Sequence, residues 1–259
     1  MSVIKARPLW VTIGVAVAGL AMVLTASGPA NAVANGSPVP DGTYPFSTKL
    51  TMTGIPRTDG TTYDSACSAA LIAPQWIITA GHCFHDARGN RVSGPTPYAT
   101  RATIGRTDLT QTTVGYDVAV TQVLQASRVD IALGKLATPV TTIAPLPLSG
   151  VAPKSGAILR ITGWGATSSV NPTQVTRLQT GQVKIKRVSG TNVLVVGYAP
   201  SSTTSACLWD SGAPYFSEDS KGTVALVSVE VDGPACPHSQ EETTGGIDRI
   251  ADWIRQNAV

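Results

Sequence analysis

From Val33 to about residue 245 the chain is a succession of short β-branched or apolar runs cut apart by Gly, Pro, Ser and Thr. Runs of this kind stand at 69–72, 76–79, 118–123, 158–162, 183–185, 193–196 and 224–231. That length, composition and punctuation predict strands. So many strands at this spacing predict a sandwich or a barrel, and the fold class is therefore all-β. One stretch breaks the rhythm. In residues 248–257 the apolar Ile250, Trp253 and Ile254 fall at helical spacing, which predicts a short terminal amphipathic helix packed on the strands.

Residues 1–32 stand apart. Lys5 and Arg7 precede an apolar stretch, 9–25, without a charged side chain, which is the layout of a secretory signal. Ala30-Asn31-Ala32 then offers small residues two positions apart, so cleavage is expected before Val33 and the mature chain is expected outside the cell. A spanning helix needs about 20 apolar residues, and Gly14, Gly19 and Thr25 interrupt a shorter run, so no membrane anchor is expected after cleavage. Residues 33–259 suffice for one large all-β domain or two small barrels.

Loss of Lys5 and Arg7 takes the formal net charge from +3 to +1. Near-neutrality argues against nucleic acid as the main partner. The cluster Lys184-Ile185-Lys186-Arg187 is short enough to be one solvated strand edge. The four cysteines, Cys67, Cys83, Cys207 and Cys236, all lie in the exported part, where thiols oxidise, so two disulfides are expected in one of three connectivities. No C-x-x-C pair is present and histidines number three, so no metal site is assigned.

Three separated motifs carry candidate chemistry. A strand at 76–79 runs into the small-residue turn Ala80-Gly81-His82-Cys83, which presents an imidazole at a strand end; Arg128-Val129-Asp130-Ile131-Ala132-Leu133 embeds an acid in an apolar run; and Cys207-Leu208-Trp209-Asp210-Ser211-Gly212-Ala213-Pro214 offers a serine in a loop. A serine is inert at neutral pH unless a base takes its proton, and that base must be held in one tautomer by a third group. Taken singly, His82 reads as a core histidine, Asp130 as a turn residue and Ser211 as a loop serine. Taken together, they supply every part of that machine.

Thr79-Ala80-Gly81-His82-Cys83, Asp130-Ile131-Ala132-Leu133 and Asp210-Ser211-Gly212-x-Pro214 closely resemble the active-site blocks of the trypsin/chymotrypsin-like serine protease family, in that family's His, Asp, Ser order. Gly163-Trp164-Gly165, the run from Cys67 to Ile72 and residues 251–254 match in order too, so the resemblance spans nearly the whole mature chain. It implies two packed six-stranded antiparallel barrels with a C-terminal helix: 33–140 carrying His82 and Asp130, and 141–259 carrying Ser211. It also implies that Cys67 pairs with Cys83 and Cys207 with Cys236.

The same resemblance implies a secreted endopeptidase, of bacterial type, working through an acyl-enzyme without a cofactor. Its partners would be polypeptide substrates and protein inhibitors, and it would act as a monomer. Ser211 would attack, His82 would relay the proton and Asp130 would orient His82. Backbone N–H groups of Trp209 and Ser211 would form the oxyanion hole, and the freed amine of Val33 would pair with Asp210. Ser205 would lie at the base of the specificity pocket, Ser228 beside the buried Asp, and Glu230 on the pocket wall.

The departures are specific. Trp209 replaces a usual glycine, which costs about 1–2 kcal/mol if its φ is left-handed; otherwise Trp209 simply flanks the leaving side of the substrate. Ala213 replaces a second glycine. Ser205 argues for an apolar or aromatic residue before the scissile bond, whereas Glu230 or Asp232 argues for a basic one. Arg106 follows Gly105 where calcium-binding members have a glutamate, so no calcium loop is assigned. The alternative function is a protease-like binding protein with an impaired oxyanion hole. An esterase or lipase fits poorly, because no G-x-S-x-G elbow is present.

Overall fold

The computed structural model describes residues 1–3 and 33–258; apart from residues 1–3, the expected signal segment lies outside them. Its strands are β1 (Ser37–Pro38), β2 (Ser47–Pro56), β3 (Thr62–Ala73), β4 (Trp76–Ala80), β5 (Gly94–Pro95), β6 (Ala99–Ile104) and β7 (Tyr116–Gln125). They continue as β8 (Ile131–Leu136), β9 (Ile158–Gly163), β10 (Gln179–Ser189), β11 (Asn192–Ala199), β12 (Pro214–Glu218), β13 (Val224–Asp232) and β14 (Glu242–Gly246). All seven runs read as strands in the sequence fall inside one of these. Residues 248–257 form a 3₁₀ turn, Asp248–Ile250, followed by the helix α1, Ala251–Asn257.

Two closed antiparallel barrels result. One sheet runs β5-β7-β6-β2-β3-β4-β8 and closes by a β7–β8 pairing, which leaves the two-residue β5 outside a six-stranded ring. The other runs β1-β10-β11-β14-β13-β12-β9 and closes β9 on β10, with the two-residue β1 outside. Closure removes the unpaired edges that invite association. In β10 the first residues alternate: Gln179, Gly181, Val183 and Ile185 are buried, whereas Lys184 and Lys186 are exposed. The basic cluster is therefore the solvated face of one strand. Every residue of β4 is buried, because one face lines its barrel and the other meets β13 of the second.

The apolar core of the first barrel, with Leu50, Ile77, Ile131 and Leu133, continues into Phe216, Leu226 and Val229 of the second, while Val183, Val193, Val195 and Tyr215 form a separate cluster. Full burial of each such aliphatic side chain contributes about 1.5–3 kcal/mol. The chain ends cross over. Ile250 and Ile254 of the terminal helical segment join the first cluster, and Val33 joins the second. The expected division gives residues 33–140 to the first barrel, yet Ser37 and Pro38 pair with Thr180 and Gln179 of β10. Backbone pairing draws this arm to the other sheet.

Candidate active site

Strand register brings the first two motifs together. β4 pairs with β8 so that Ala80 faces Ile131, and the ladder continues one step when Gly81 N–H donates to the Asp130 carbonyl at 3.1 Å. Gly81–Cys83 then turns as a 3₁₀ segment. His82 Nδ1 consequently lies 2.7 Å from Asp130 Oδ2, and His82 backbone N–H donates to Oδ1 at 2.9 Å. The turn requires glycine at its start. A Cβ on Gly81 would stand 2.6 Å from Asp130 Oδ1 and 2.5 Å from Gln125 Oε1.

Two groups near Asp130 carried no signal in the sequence. Arg91 donates from Nη1 to Asp130 Oδ1 at 3.2 Å and to the Val129 carbonyl at 2.9 Å. Gln125 Nε2 donates to the Gly81 carbonyl at 2.9 Å. Both sit in ordinary polar strand and loop sequence, and only the fold shows what they support. Burial works to raise the Asp130 carboxyl, but the hydrogen bonds and charge of His82 and the Arg91 guanidinium outweigh it and hold the group below the usual carboxylate range. Asp130 is thus an anion that accepts from His82.

The serine loop docks across the barrel interface. Ser68 of β3 donates its N–H to the Ser211 carbonyl at 2.8 Å, and Gly212 N–H donates to the Glu230 carbonyl at 2.8 Å. Cys67, next to Ser68, is disulfide-bonded to Cys83, next to His82; Cys207 is bonded to Cys236, as the resemblance implies. Ser211, Trp209 and His82 line one cleft of about 330 Å³, and Ser211 also lines an adjoining cavity of about 260 Å³. Among the described residues the Ser211 hydroxyl has no hydrogen-bond partner. Such bonds in unliganded sites commonly tighten only around substrate.

Trp209 has φ +73°, so this bulky residue adopts the backbone of the glycine it replaces. The left-handed conformation costs about 1–2 kcal/mol. Its N–H and that of Ser211 have no protein acceptor among the described residues, whereas Asp210 N–H, between them, donates to the Cys207 carbonyl at 3.0 Å. Two free N–H groups therefore flank one that is engaged.

Asp210 is fully buried, and Gly165 N–H and Cys207 N–H donate to its oxygens at 2.8 and 3.1 Å. Burial pushes its carboxyl up to about 7, against the pull of those two bonds and of Lys49. Lys49 itself is buried; burial brings its ammonium down to about 8, although Asp210 opposes the shift, and Nζ donates to Gln174 Oε1 at 3.0 Å. Val33 is buried in the cluster that holds Ala206 and Ala213, and Ala213 N–H donates to the Asp210 carbonyl at 2.7 Å.

The residues expected at the specificity pocket are spread out. Glu230 lines the 260 Å³ cavity with Asp232 and Gly233, but Ser205 and Ser228 do not. Ser205 is buried with its backbone N–H on the Ala34 carbonyl at 3.1 Å. The Ser228 hydroxyl takes a hydrogen bond from Thr244 at 2.8 Å and makes none to Asp130 among the described residues. Glu242 and Tyr215, behind the cavity wall, were missed: Glu242 sits in a polar run, Glu241-Glu242-Thr243-Thr244, that resembles a loop. Among the described residues no group of three or more His, Cys, Asp or Glu is arranged to hold a metal ion. Arg106 donates to the carbonyls of Val114 and Thr112 at 2.8 and 3.1 Å.

The family model described as Trypsin matches residues 33–254. The Suppressor of tumorigenicity 14 protein homolog of Bos taurus is 29% identical over 216 residues, 73% of this chain and 25% of that protein. Transmembrane protease serine 11G of Mus musculus is 28% identical over 254 residues, 88% of this chain and 55% of that protein. Serine protease 56 of Mus musculus is 26% identical over 203 residues, 70% of this chain and 31% of that protein. This chain spans about a quarter to a half of the length of these curated relatives. They are mammalian, and they lend no support to the bacterial type expected above. No helix among the described residues is long and apolar enough to cross a membrane.

Proposed function

This chain belongs to the trypsin family, and on that premise we propose that it is a secreted serine endopeptidase that hydrolyses peptide bonds through an acyl-enzyme. The observation that carries the reading is the 2.7 Å contact of His82 with Asp130 in a cleft that Ser211 shares. Ser211 Oγ attacks the peptide carbonyl carbon as His82 Nε2 takes its proton; the C–N bond breaks as His82 returns that proton to the leaving amine. Water, deprotonated by the same nitrogen, then releases the acyl group and restores Ser211. Asp130 holds Nδ1–H and stabilises the imidazolium. The developing oxyanion sits on the N–H groups of Trp209 and Ser211, whose lack of protein acceptors supports this role.

Cleavage before Val33 exports the chain and completes it in one step. Val33 lies in the same buried cluster as Ala206 and Ala213, and Asp210 is a buried carboxyl held near 7 by desolvation. The freed amine would supply the missing cation, drive Asp210 to its charged form and fix the loop that carries Ser211. Residues 33–140 and 141–259 form the two functional halves, with polypeptides as substrates and protein inhibitors as further partners. The enzyme acts as a monomer, without cofactor. Ser205, Ser228 and Glu230 belong to the specificity pocket.

The left-handed Trp209 favours one rival, a protease-like binding protein whose oxyanion hole is impaired. An organophosphonate separates the two. Covalent labelling of Ser211 in the chain beginning at Val33, abolished by Ser211→Ala, supports the enzyme; folded protein that resists the reagent supports the binder.

A further inference from the structure

Behind the 260 Å³ cavity lies a buried polar cluster that triad chemistry does not use. Tyr215 of β12, Glu230 of β13, Glu242 of β14 and His238 are all buried. Tyr215 Oη is 2.8 Å from Glu230 Oε2 and 2.8 Å from Glu242 Oε2. A phenol has one proton to donate. The second contact is a hydrogen bond only if one carboxyl brings a proton of its own, so the pair holds one shared proton and one negative charge.

The surroundings say where that charge rests. Glu242 Oε1 accepts the Ala206 N–H at 2.6 Å and has His238 Nε2 at 3.3 Å. Glu230 has only the phenol; its Oε1 has no hydrogen bond among the described residues. Burial first, and then the neighbouring Glu242, push its carboxyl well above the usual range; Asp210 and Asp232 add to this, against the Tyr215 bond. The resting order is therefore Glu230 carboxylic acid to Tyr215 to Glu242 carboxylate. No Lys or Arg lies within 4.0 Å of either carboxyl among the described residues.

The wall between this cluster and the cavity is thin. Ala206, Glu230 and Gly233 line the cavity. At Gly233 there is backbone alone: a Cβ there would stand 3.1 Å from Glu242 Cγ, 3.6 Å from His238 Nε2 and 3.8 Å from Glu230 Oε1. A buried anion with a histidine but no Lys or Arg beside it, next to a cavity that opens at Ser211, is a site that a permanent positive charge would complete.

We propose that this cavity takes the cationic side chain of a Lys or Arg residue immediately before the scissile bond, with Glu242 and Glu230 as the residues that determine the choice. The inference rests on the proteolytic reading above. It runs against the apolar preference that Ser205 suggested, since Ser205 does not line the cavity. An entering ammonium or guanidinium approaches Glu230 Oε1, and the reserve proton leaves to water, so the pair meets the cation with a second charge. Preference for a cation therefore strengthens as pH rises and Glu230 gives up its proton. Burial, Glu242, Asp210 and Asp232 oppose that loss of proton; the Tyr215 hydrogen bond and the cation favour it.

The test uses the chain beginning at Val33 and matched peptide amides with Lys, Arg, Met or Phe before the scissile bond. We expect kcat/KM for Lys to exceed that for Met, its neutral near-isostere, by about 10–100-fold, the range of a hydrogen bond to a charged group. The ratio should grow from pH 6 to pH 9 and fall about tenfold in Glu242→Gln and in Glu230→Gln. A Lys/Met ratio of one or less, in protein whose Ser211 the phosphonate labels, overturns the inference and leaves the enzyme standing. A high ratio that neither variant lowers overturns the assignment to these residues. If the phosphonate does not label, the proteolytic reading fails instead, and calorimetry with benzamidine against benzamide still decides the pocket. Selective binding of the cation supports the inference, and equal or absent binding defeats it. That comparison needs no variant to fold.

Discussion

Asp130, behind His82, and Glu230, in the cavity that Ser211 also lines, come from opposite barrels, and the fold treats their carboxyl groups in opposite ways. Asp130 is a quarter exposed at its side chain, meets His82 and Arg91, and is held below the usual carboxylate range. Glu230 is buried, meets a phenol and another carboxyl, and is pushed well above that range. Partial exposure with a fixed cation makes a permanent anion. Burial without one makes a group that stays neutral until a cation arrives. The first suits a part that must keep its charge through every turnover, the second a part that must recognise something absent from the protein.

The largest expected effect breaks the comparison on the Asp130 side. Asp130→Asn keeps the shape but removes the anion, and the amide favours the wrong tautomer of His82. We expect kcat to fall about 10⁴-fold, as when the corresponding acid of a Ser-His-Asp triad is so replaced. Steady-state kinetics on the preferred peptide amide checks this. A loss below tenfold would mean that Asp130 is a structural acid, no different in kind from those of the second barrel.

The next effect lies in stability against pH. Asp210 belongs with Glu230: its folded value is about 7 against 3.8 for the free carboxyl. Between those values the unfolded chain has lost its proton and the folded chain keeps it, so stability falls as pH rises. Across that window the loss is about 4 kcal/mol. Asp130 has the opposite sign: its contribution is present above the usual carboxylate range and is lost as pH falls through its lowered folded value. If the Val33 amine pairs with Asp210, urea midpoints of the uncleaved chain should drop from pH 4 to pH 7, and those of the chain beginning at Val33 should stay flatter. Equal slopes would remove the amine from the account.

Packing separates the regions as well. A Cβ at Gly81 would press on Asp130 Oδ1, Gln125 Oε1 and Arg91 Nη1 at 2.6, 2.5 and 2.8 Å. Gly81→Ala is expected to cost about 1–3 kcal/mol, as overpacking does, and to lower kcat by moving Asp130 off His82. Thermal unfolding and kinetics read the two losses separately. Loss of stability with kcat unchanged would show that the His82–Asp130 pair tolerates displacement.

The two regions also differ in how much of them was legible. His82, Asp130 and Ser211 stand in motifs next to apolar runs, and β4 and β8, which set them side by side, are rich in Ile, Leu and Ala. Glu242 lies in β14, whose sequence, Glu-Thr-Thr-Gly-Gly, has no apolar side chain and two of the residues least favoured in strands. It is a strand because β11 and β13 pair with it on both sides, a tertiary effect that local composition does not carry. The pocket cluster was hidden for the same reason. Tyr215, Glu230 and Glu242 come from three strands, and only their register brings two carboxyls to one phenol. The pairing of the arm after Val33 with the second sheet was equally illegible, since Ser37 and Pro38 look like a loop and become β1 only through β10.

The smallest expected effect sharpens the comparison most. Arg91 is what Asp130 has and Glu230 lacks, yet it is a third exposed at its side chain and meets Asp130 at 3.2 Å. A pair so open to water is worth no more than about 1 kcal/mol. Arg91→Gln should therefore shift the urea midpoint slightly while the acid limb of kcat/KM moves to higher pH, because the carboxyl loses one of the charges that hold it down. Asp130 still has both hydrogen bonds from His82, at 2.7 and 2.9 Å, so turnover near neutral pH should stay within a few-fold. A larger loss there would mean that the arginine charge, rather than the imidazole, keeps Asp130 an anion. The two carboxyls would then differ by a single neighbouring cation.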